Sequence, residues 1–193
     1  EIGCGHGFNV SRFSKQVGGK PYGIKPSPTC IESCKQNNVQ LVGADIDDLH
    51  DEGTHFHIIL SVHSLEHLVD PDKVIEKLGR LARPGMILLL EVPDLEVSTD
   101  VHINHPFCYS ERGIFLLLNE FGFKVASINS RKYSRRQVGN LDVAAVYVGE
   151  KKVVQDDAIP KPMSLEDLLT LQKKLQIGRR EKRLRKAFNR YAI

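Results

Sequence analysis

The chain is expected to form an α/β domain: a mostly parallel sheet flanked by helices and finished by a C-terminal antiparallel hairpin. Three observations predict it. Short apolar runs alternate with helical patterns as far as Gly122, the signature of repeated strand–helix–strand units. The runs His55–Val62 and Met86–Val92 are apolar almost throughout, as a strand covered on both faces must be. The last two β-rich stretches, Phe123–Ser130 and Leu141–Val148, have only a polar loop between them, so they pair antiparallel.

The elements follow in order. Glu1-Ile2-Gly3-Cys4-Gly5-His6-Gly7-Phe8 is a glycine-rich strand-to-helix turn headed by an acid. Glycines let the backbone turn sharply and approach a ligand, and the helix beyond presents unpaired N–H groups. The spacing is Gly-x-Gly-x-Gly, with Phe8 where a dinucleotide site would carry its third glycine, which disfavours a pyrophosphate ligand. Only Ile2 stands before the turn, so the first strand reads as truncated and the chain as a fragment. A helix over 8–18 follows, then a short strand Pro21–Lys25. Ser27-Pro28 opens a helix reaching about Asn37, with Pro28 at its first position. Val39–Asp45 is a strand, and His55–Val62 a central one. Asp70-Pro71 starts a helix to Leu81, stopped by Arg83-Pro84-Gly85 ahead of the strand Met86–Val92. Ser110 caps a helix to Phe121 that Gly122 ends. Residues 151–163 read as a linker, and 164–193 as a basic amphipathic helix capped through Ser164-Leu165-Glu166-Asp167.

At 193 residues, 41% hydrophobic and 26% charged, the composition is that of a globular domain with an appendage. No apolar run has the roughly 20 residues of a membrane span. Cys4, Cys30, Cys34 and Cys108 lack zinc-ligand spacing, no other metal cluster is evident, and buried thiols point to a reducing cytoplasm. The charge is unevenly placed. Residues 172–193 hold nine Lys/Arg against Glu181 alone, leaving 18 basic and 23 acidic residues in the body. Ile177, Leu184 and Tyr191 recur every seven residues in that tail. It is expected to dock on the acidic body or on a second copy in a homodimer rather than on nucleic acid.

Several segments carry a resemblance. Glu-x-Gly-x-Gly-x-Gly over residues 1–7 is similar to the first motif of the class I S-adenosylmethionine-dependent methyltransferases. Ser64-Leu65-Glu66-His67-Leu68-Val69-Asp70-Pro71 resembles the segment after their fourth strand, and Leu81-Ala82-Arg83-Pro84-Gly85-Met86 the turn before their fifth. Val92-Pro93-Asp94, His105-Pro106-Phe107-Cys108-Tyr109-Ser110, Leu117-Leu118 and Phe121-Gly122-Phe123 continue the match in family order to residue 149. The closest flavour is the small-molecule branch, acting on sugars, quinones, lipids and other metabolites.

The resemblance implies a Rossmann-like fold, S-adenosylmethionine as cofactor and methyl transfer to a small-molecule acceptor. Gly3, Gly5 and Gly7 would bring backbone against the methionyl and ribose parts, with Glu1 near the methionine amino group. Asp45 would accept from the adenine amine, Ile46 would follow with its N–H and an apolar face, and Ser61–Ser64 would line the pocket below the sulfonium. Lys25 stands where the family has an acid for the ribose hydroxyls, and an ammonium has no acceptor to offer. His57 replaces an aspartate of the fourth strand. These two departures motivate a non-catalytic, methyltransferase-like binding protein as the alternative, and the basic tail motivates a nucleic-acid methyltransferase. His63, His67 and His105 are the candidate bases. Their plain counterparts are a packed His63, a Glu66–His67 pair bracing the next helix, and solvated loop histidines at 102 and 105.

Overall fold

The computed structural model describes residues 1–24, 27–50, 55–97, 104–133 and 138–149. Among these residues four α-helices and six strands follow in order: α1 Phe8–Val17, β1 Tyr22–Ile24, α2 Ile31–Gln36, β2 Gln40–Gly43, β3 Ile58–Val62, α3 Pro71–Leu81, β4 Ile87–Pro93, α4 Glu111–Glu120, β5 Phe123–Tyr133 and β6 Val138–Tyr147. The expected linker at 151–163 and the basic helix at 164–193 lie outside the described residues, as do Lys25 and His102.

β1 pairs with β2 and β3 with β4, both parallel, while β6 runs antiparallel between β4 and β5. Ile2 joins the two groups by parallel bridges to Ile24 and Ser61. Its N–H donates to the Leu60 carbonyl at 2.8 Å, and the Ile24 N–H donates to the Glu1 carbonyl at 3.0 Å. The lateral order is therefore β2, β1, Ile2, β3, β4, β6, β5. The order in which the chain adds strands reverses about the Ile2 lane, and in open sheets of this kind ligands bind beyond the carboxyl ends of the strands at that place.

Period-two alternation assigns the faces. Ile59 in β3 and Leu88, Leu90 and Val92 in β4 point to one side, where Val74, Ile75 and Leu78 of α3 and Ile114 and Leu118 of α4 cover them. Leu60 points to the other, where it meets Val10, Phe13 and Val17 of α1 and Cys34 of α2. Fully burying such side chains contributes roughly 1.5–3 kcal/mol each.

The boundaries differ from expectation where side chains override pattern. The helix expected from Pro28 begins as a single tight turn over Pro28–Cys30 before α2, and the Ser27 hydroxyl bonds Thr29 instead of capping. β2 stops at Gly43 because Asp45 and Asp48 form a capping box around the turn Ile46–Asp48. The hairpin strands run on to Tyr133 and from Val138, since Arg131, Asn140 and Asp142 pair across the ladder. Gly18, expected inside the first helix, instead ends α1 in the left-handed region. Elsewhere the punctuation acts as read: the Ser110 hydroxyl accepts from the Gly113 N–H at 3.1 Å. No helix among the described residues is long and apolar enough to cross a membrane.

Candidate active site

The glycine turn lies at the carboxyl end of the Ile2 lane, and its three glycines are all left-handed, with φ of 68°, 48° and 78° at Gly3, Gly5 and Gly7. Each does a different job. A Cβ on Gly3 would lie 2.0 Å from the Ser64 hydroxyl oxygen, and one on Gly7 would lie 2.8 Å from Val39 Cγ2. These two glycines let the turn press on β3's continuation and on the start of β2. A Cβ on Gly5 would meet nothing within 4 Å. Its missing side chain leaves room above the sheet edge, where a ligand can approach backbone. The Cys34 thiol donates to the Gly5 carbonyl at 3.1 Å and steadies the turn from behind. Burial, with Cys34 next to it, pushes the Cys4 thiol up to about 12, so Cys4 is a packing group and not a nucleophile.

Glu1 turns toward α1. Its carboxylate accepts from the Val10 N–H at 3.1 Å and from the Asn9 amide at 3.4 Å. Gly7 at the N-cap has no side chain to do this, so Glu1 supplies the missing cap from outside the helix. Burial raises its carboxyl above the ordinary range, opposed by these hydrogen bonds. Asp45 sits beyond β2, with one oxygen accepting a long 3.4 Å bond from the Asp47 N–H. Asp48 holds the turn more firmly, accepting from Ala44 at 2.7 Å and Asp45 at 3.0 Å. The Ile46 side chain is buried in the core, so only its backbone can face the crevice. His57 is exposed at the amino end of β3, the opposite end from the glycine turn, so that departure does not touch the ligand edge.

Beyond β3 the site is made of side chains. Ser61 is buried and its hydroxyl has no hydrogen-bond partner. His63 has φ of 48°, a conformation few non-glycine residues adopt, and its N–H donates to the Glu91 carbonyl at 2.9 Å. This backbone aims the imidazole between two carboxylates: Nδ1 lies 3.3 Å from Glu66 Oε1 and Nε2 lies 3.2 Å from Glu91 Oε1. Hydrogen bonds to Glu66 and Glu91 raise its pKa to about 9, so it is an imidazolium at neutral pH. Glu91 in turn is held below the ordinary carboxylate range, first by His63. It also accepts from the Asn140 amide at 2.7 Å and from Arg131 at 3.0 Å. Asp142 faces Glu91 across the β4–β6 ladder, and Arg131 bonds both. Two carboxylates directly opposed would repel; the guanidinium between them makes the pairing favourable.

Glu66 and His67 lie in a single tight turn, Leu65–His67, directly after β3. They do not act as one pair. Glu66 is wholly buried, while the exposed His67 turns outward, its Nδ1 2.9 Å from the Asn104 carbonyl and its ring packed edge-on to His105 at 4.7 Å. The Tyr109 hydroxyl donates to the Leu65 carbonyl at 3.3 Å, which fastens the segment before α4 to this turn. The fold thus brings together Glu66, His67 and His105, with one potential ligand atom of each within 4.8 Å of the others. The sequence did not display this cluster, because residues 67 and 105 are far apart in the chain and meet through tertiary contacts such as those of Tyr109 and Asn104. Glu91, Arg131, Asn140 and Asp142 were likewise missed. The polar positions interrupting the apolar strands β4 and β6 were the available signal.

Comparison with known proteins agrees with this arrangement. A family model described as a methyltransferase domain matches residues 1–128. The ubiquinone biosynthesis O-methyltransferase of Mesorhizobium japonicum is 32% identical over 96 residues, which span 47% of this chain and 38% of that protein. The norajmaline N-methyltransferase of Rauvolfia serpentina is 29% identical over 99 residues, covering 47% of this chain and 34% of its own length. The chain therefore spans well under half the length of these curated relatives. Among solved structures, magnesium protoporphyrin IX methyltransferase from Synechocystis, with SAH bound, superposes with a TM-score of 0.58 at 16% identity, over 76% of this chain and 72% of that one. At such identity the likeness is one of fold.

Proposed function

The chain belongs to the methyltransferase-domain family, and from that premise we propose that it binds S-adenosylmethionine and transfers its methyl group to a small-molecule acceptor. The observation that carries this reading is the turn of three left-handed glycines, of which Gly5 alone faces open space at the carboxyl edge of the sheet. When bound, S-adenosylmethionine supplies an electrophilic methyl on a sulfonium. The residues present fit it. Gly5 leaves room for close backbone approach, and Asp45, although its carboxylate caps the Ile46–Asp48 turn and accepts from the Asp47 N–H at 3.4 Å, keeps lone pairs for an adenine amine. A carboxylate has about four lone-pair sites, so Glu1 can brace α1 and still receive an amino group. The unpartnered Ser61 hydroxyl offers a polar contact at the floor of the crevice.

On the acceptor side the three histidines take different parts. A general base needs a pKa near the working pH, and His63, at about 9 and already shared by two carboxylates, does not meet this. It is a fixed positive centre that orders Glu66 and Glu91. Activation of the acceptor falls to His67 and His105. Val69, 82% exposed and two residues from His67, and Phe107, also exposed and two from His105, supply apolar surface that an organic acceptor would cover. The likeness to both an O- and an N-methyltransferase leaves the attacked atom open.

Calorimetry with S-adenosylmethionine tests the reading. Binding should be measurable, and Asp45→Ala should weaken it by about 1–3 kcal/mol through a lost hydrogen bond and an unpaired donor. No binding, with the fold intact by circular dichroism, would make this a methyltransferase-like protein of another function. Binding that Asp45→Ala leaves unchanged would remove the adenine assignment only.

A further inference from the structure

We propose that Glu66, His67 and His105 form a site for a first-row divalent cation at the mouth of the crevice, on the acceptor side. Their ligand atoms lie within 4.8 Å of one another, and a modest closure would bring them to the spacing that a shared ion imposes. The strongest ground is Glu66. Its side chain is wholly buried, its Oε1 is engaged by His63, and its Oε2 has no hydrogen-bond partner. A buried carboxylate oxygen without a partner is a costly feature that needs an explanation. Hydrogen bonding of the other oxygen to His63 is what an outer shell does for a metal-bound carboxylate: it fixes orientation.

His67 adds a second, independent ground. Its Nδ1 faces the Asn104 carbonyl at 2.9 Å, so the proton of the neutral ring belongs there and the lone pair is left on Nε2. A backbone carbonyl on one ring nitrogen is the usual device for presenting the other to a metal. His105 packs edge-on against this ring at 4.7 Å. The site is also held together without an ion. Glu66 and His67 share one turn, and the Tyr109–Leu65 and Asn104–His67 contacts tie the His105 segment to it.

Two imidazoles and one carboxylate are a donor set for zinc, manganese, iron or cobalt; magnesium and calcium prefer all-oxygen shells. Three protein ligands leave coordination positions open. If the methyl-transfer reading holds, on which this role rests, those positions take an oxygen of the acceptor. Held by His67 and His105, the ion would lower the pKa of a hydroxyl there as a Lewis acid, so that its proton passes to solvent water. The resulting oxyanion takes the methyl as the carbon–sulfur bond of the sulfonium breaks, and the neutral thioether leaves. Acceptors with a hydroxyl, or with two adjacent oxygens that can chelate, are the chemical class that fits.

Titration of the full chain with cobalt and zinc chlorides tests the site directly. Expected are one tight equivalent and a cobalt absorption spectrum of histidine–carboxylate type. His105→Ala should weaken that equivalent by more than the roughly 10–100-fold that loss of an outer-shell partner costs, and Glu66→Gln should do the same. His105→Ala removes a partly exposed side chain and keeps the protein folded, so it serves if Glu66→Gln does not. Absence of a tight equivalent, or an equivalent untouched by His105→Ala, overturns the proposal. S-adenosylmethionine binding is titrated separately without metal, so a failed metal site and a failed cofactor assignment give different results.

Discussion

On the side of the crevice formed by residues 1–48, the surface offered to a ligand is mostly backbone: three left-handed glycines, a turn capped by Asp45 and Asp48, and a helix start braced by Glu1. On the other side, past β3, it is side chain: His63 between Glu66 and Glu91, Arg131 between Glu91 and Asp142, and His67 against His105. The first side is shaped by what is missing at each Cα and by local turns. The second is shaped by charges drawn from the segment after β3 and from β4, β5 and β6. A backbone surface suits a ligand that never changes; a side-chain surface can be retuned residue by residue. The division matches the proposed roles, an invariant methyl donor on one side and a particular acceptor on the other.

The sharpest way to break this comparison is at two neighbouring glycines. Gly3→Ala suffers both a left-handed backbone and a collision with Ser64, so it should lose about 2–4 kcal/mol of stability in denaturant titration. Gly5→Ala meets no atom within 4 Å and should lose only the backbone part, about 1–2 kcal/mol, yet it should impair S-adenosylmethionine binding by filling the open space. Equal stability losses, or normal binding by Gly5→Ala, would refute the claim that packing and ligand access are divided between these positions.

Next in size is Arg131→Met, which keeps the apolar stem and removes the charge. Glu91 and Asp142 then oppose each other uncompensated. The half-buried setting sets the loss at about 1–3 kcal/mol at neutral pH. The loss should shrink in acid as the carboxylates protonate; a loss independent of pH would mean that Arg131 contributes packing alone.

The smallest effect is in the pH profile. His63 has a folded pKa raised to about 9 above its ordinary 6.5, so its stabilisation is fully present below pH 6.5 and is lost as pH rises through 9. Glu91 has its pKa lowered, so its share is present above about 4.5 and is lost as pH falls further. Stability should therefore peak in mildly acidic solution, and His63→Gln should flatten the alkaline limb. An unchanged limb in that variant would show that another group titrates there.

How much of this was legible beforehand follows the same division. The glycine turn, the Pro28 start, the Gly122 stop and the buried runs of β3 and β4 are local, and short-range chemistry made them legible. So was the antiparallel hairpin, because no helical pattern separates its strands. The motif pointed to the turn at Asp45 and Ile46, but the reach of its capping box into β2 was not legible, since Asp48 acts through its side chain. Glu1 was read as a ligand contact; its brace on α1 through the Val10 N–H was not legible. The histidine–carboxylate network was the least readable part. Its members are ordinary polar residues until β6 inserts beside β4 and sets Asn140 and Asp142 against Pro93 and Glu91.

That insertion also has a consequence for the order of assembly. Chains are synthesised from the amino end, and β4 emerges well before β6. In the finished sheet β5 pairs with β6 and not with β4. Until residues 138–147 are available, the edge carrying Leu88, Leu89 and Leu90 is bare, an apolar template for any other strand it meets. The sheet is in this sense locked by the last strand among the described residues, and a nascent chain is at its most vulnerable while the hairpin is half complete. Nascent chains halted before Val138 should be protease-sensitive and prone to association, and chains carried past Tyr147 should be resistant. Equal resistance at both lengths would show that β3 and β4 are stable without their late partner.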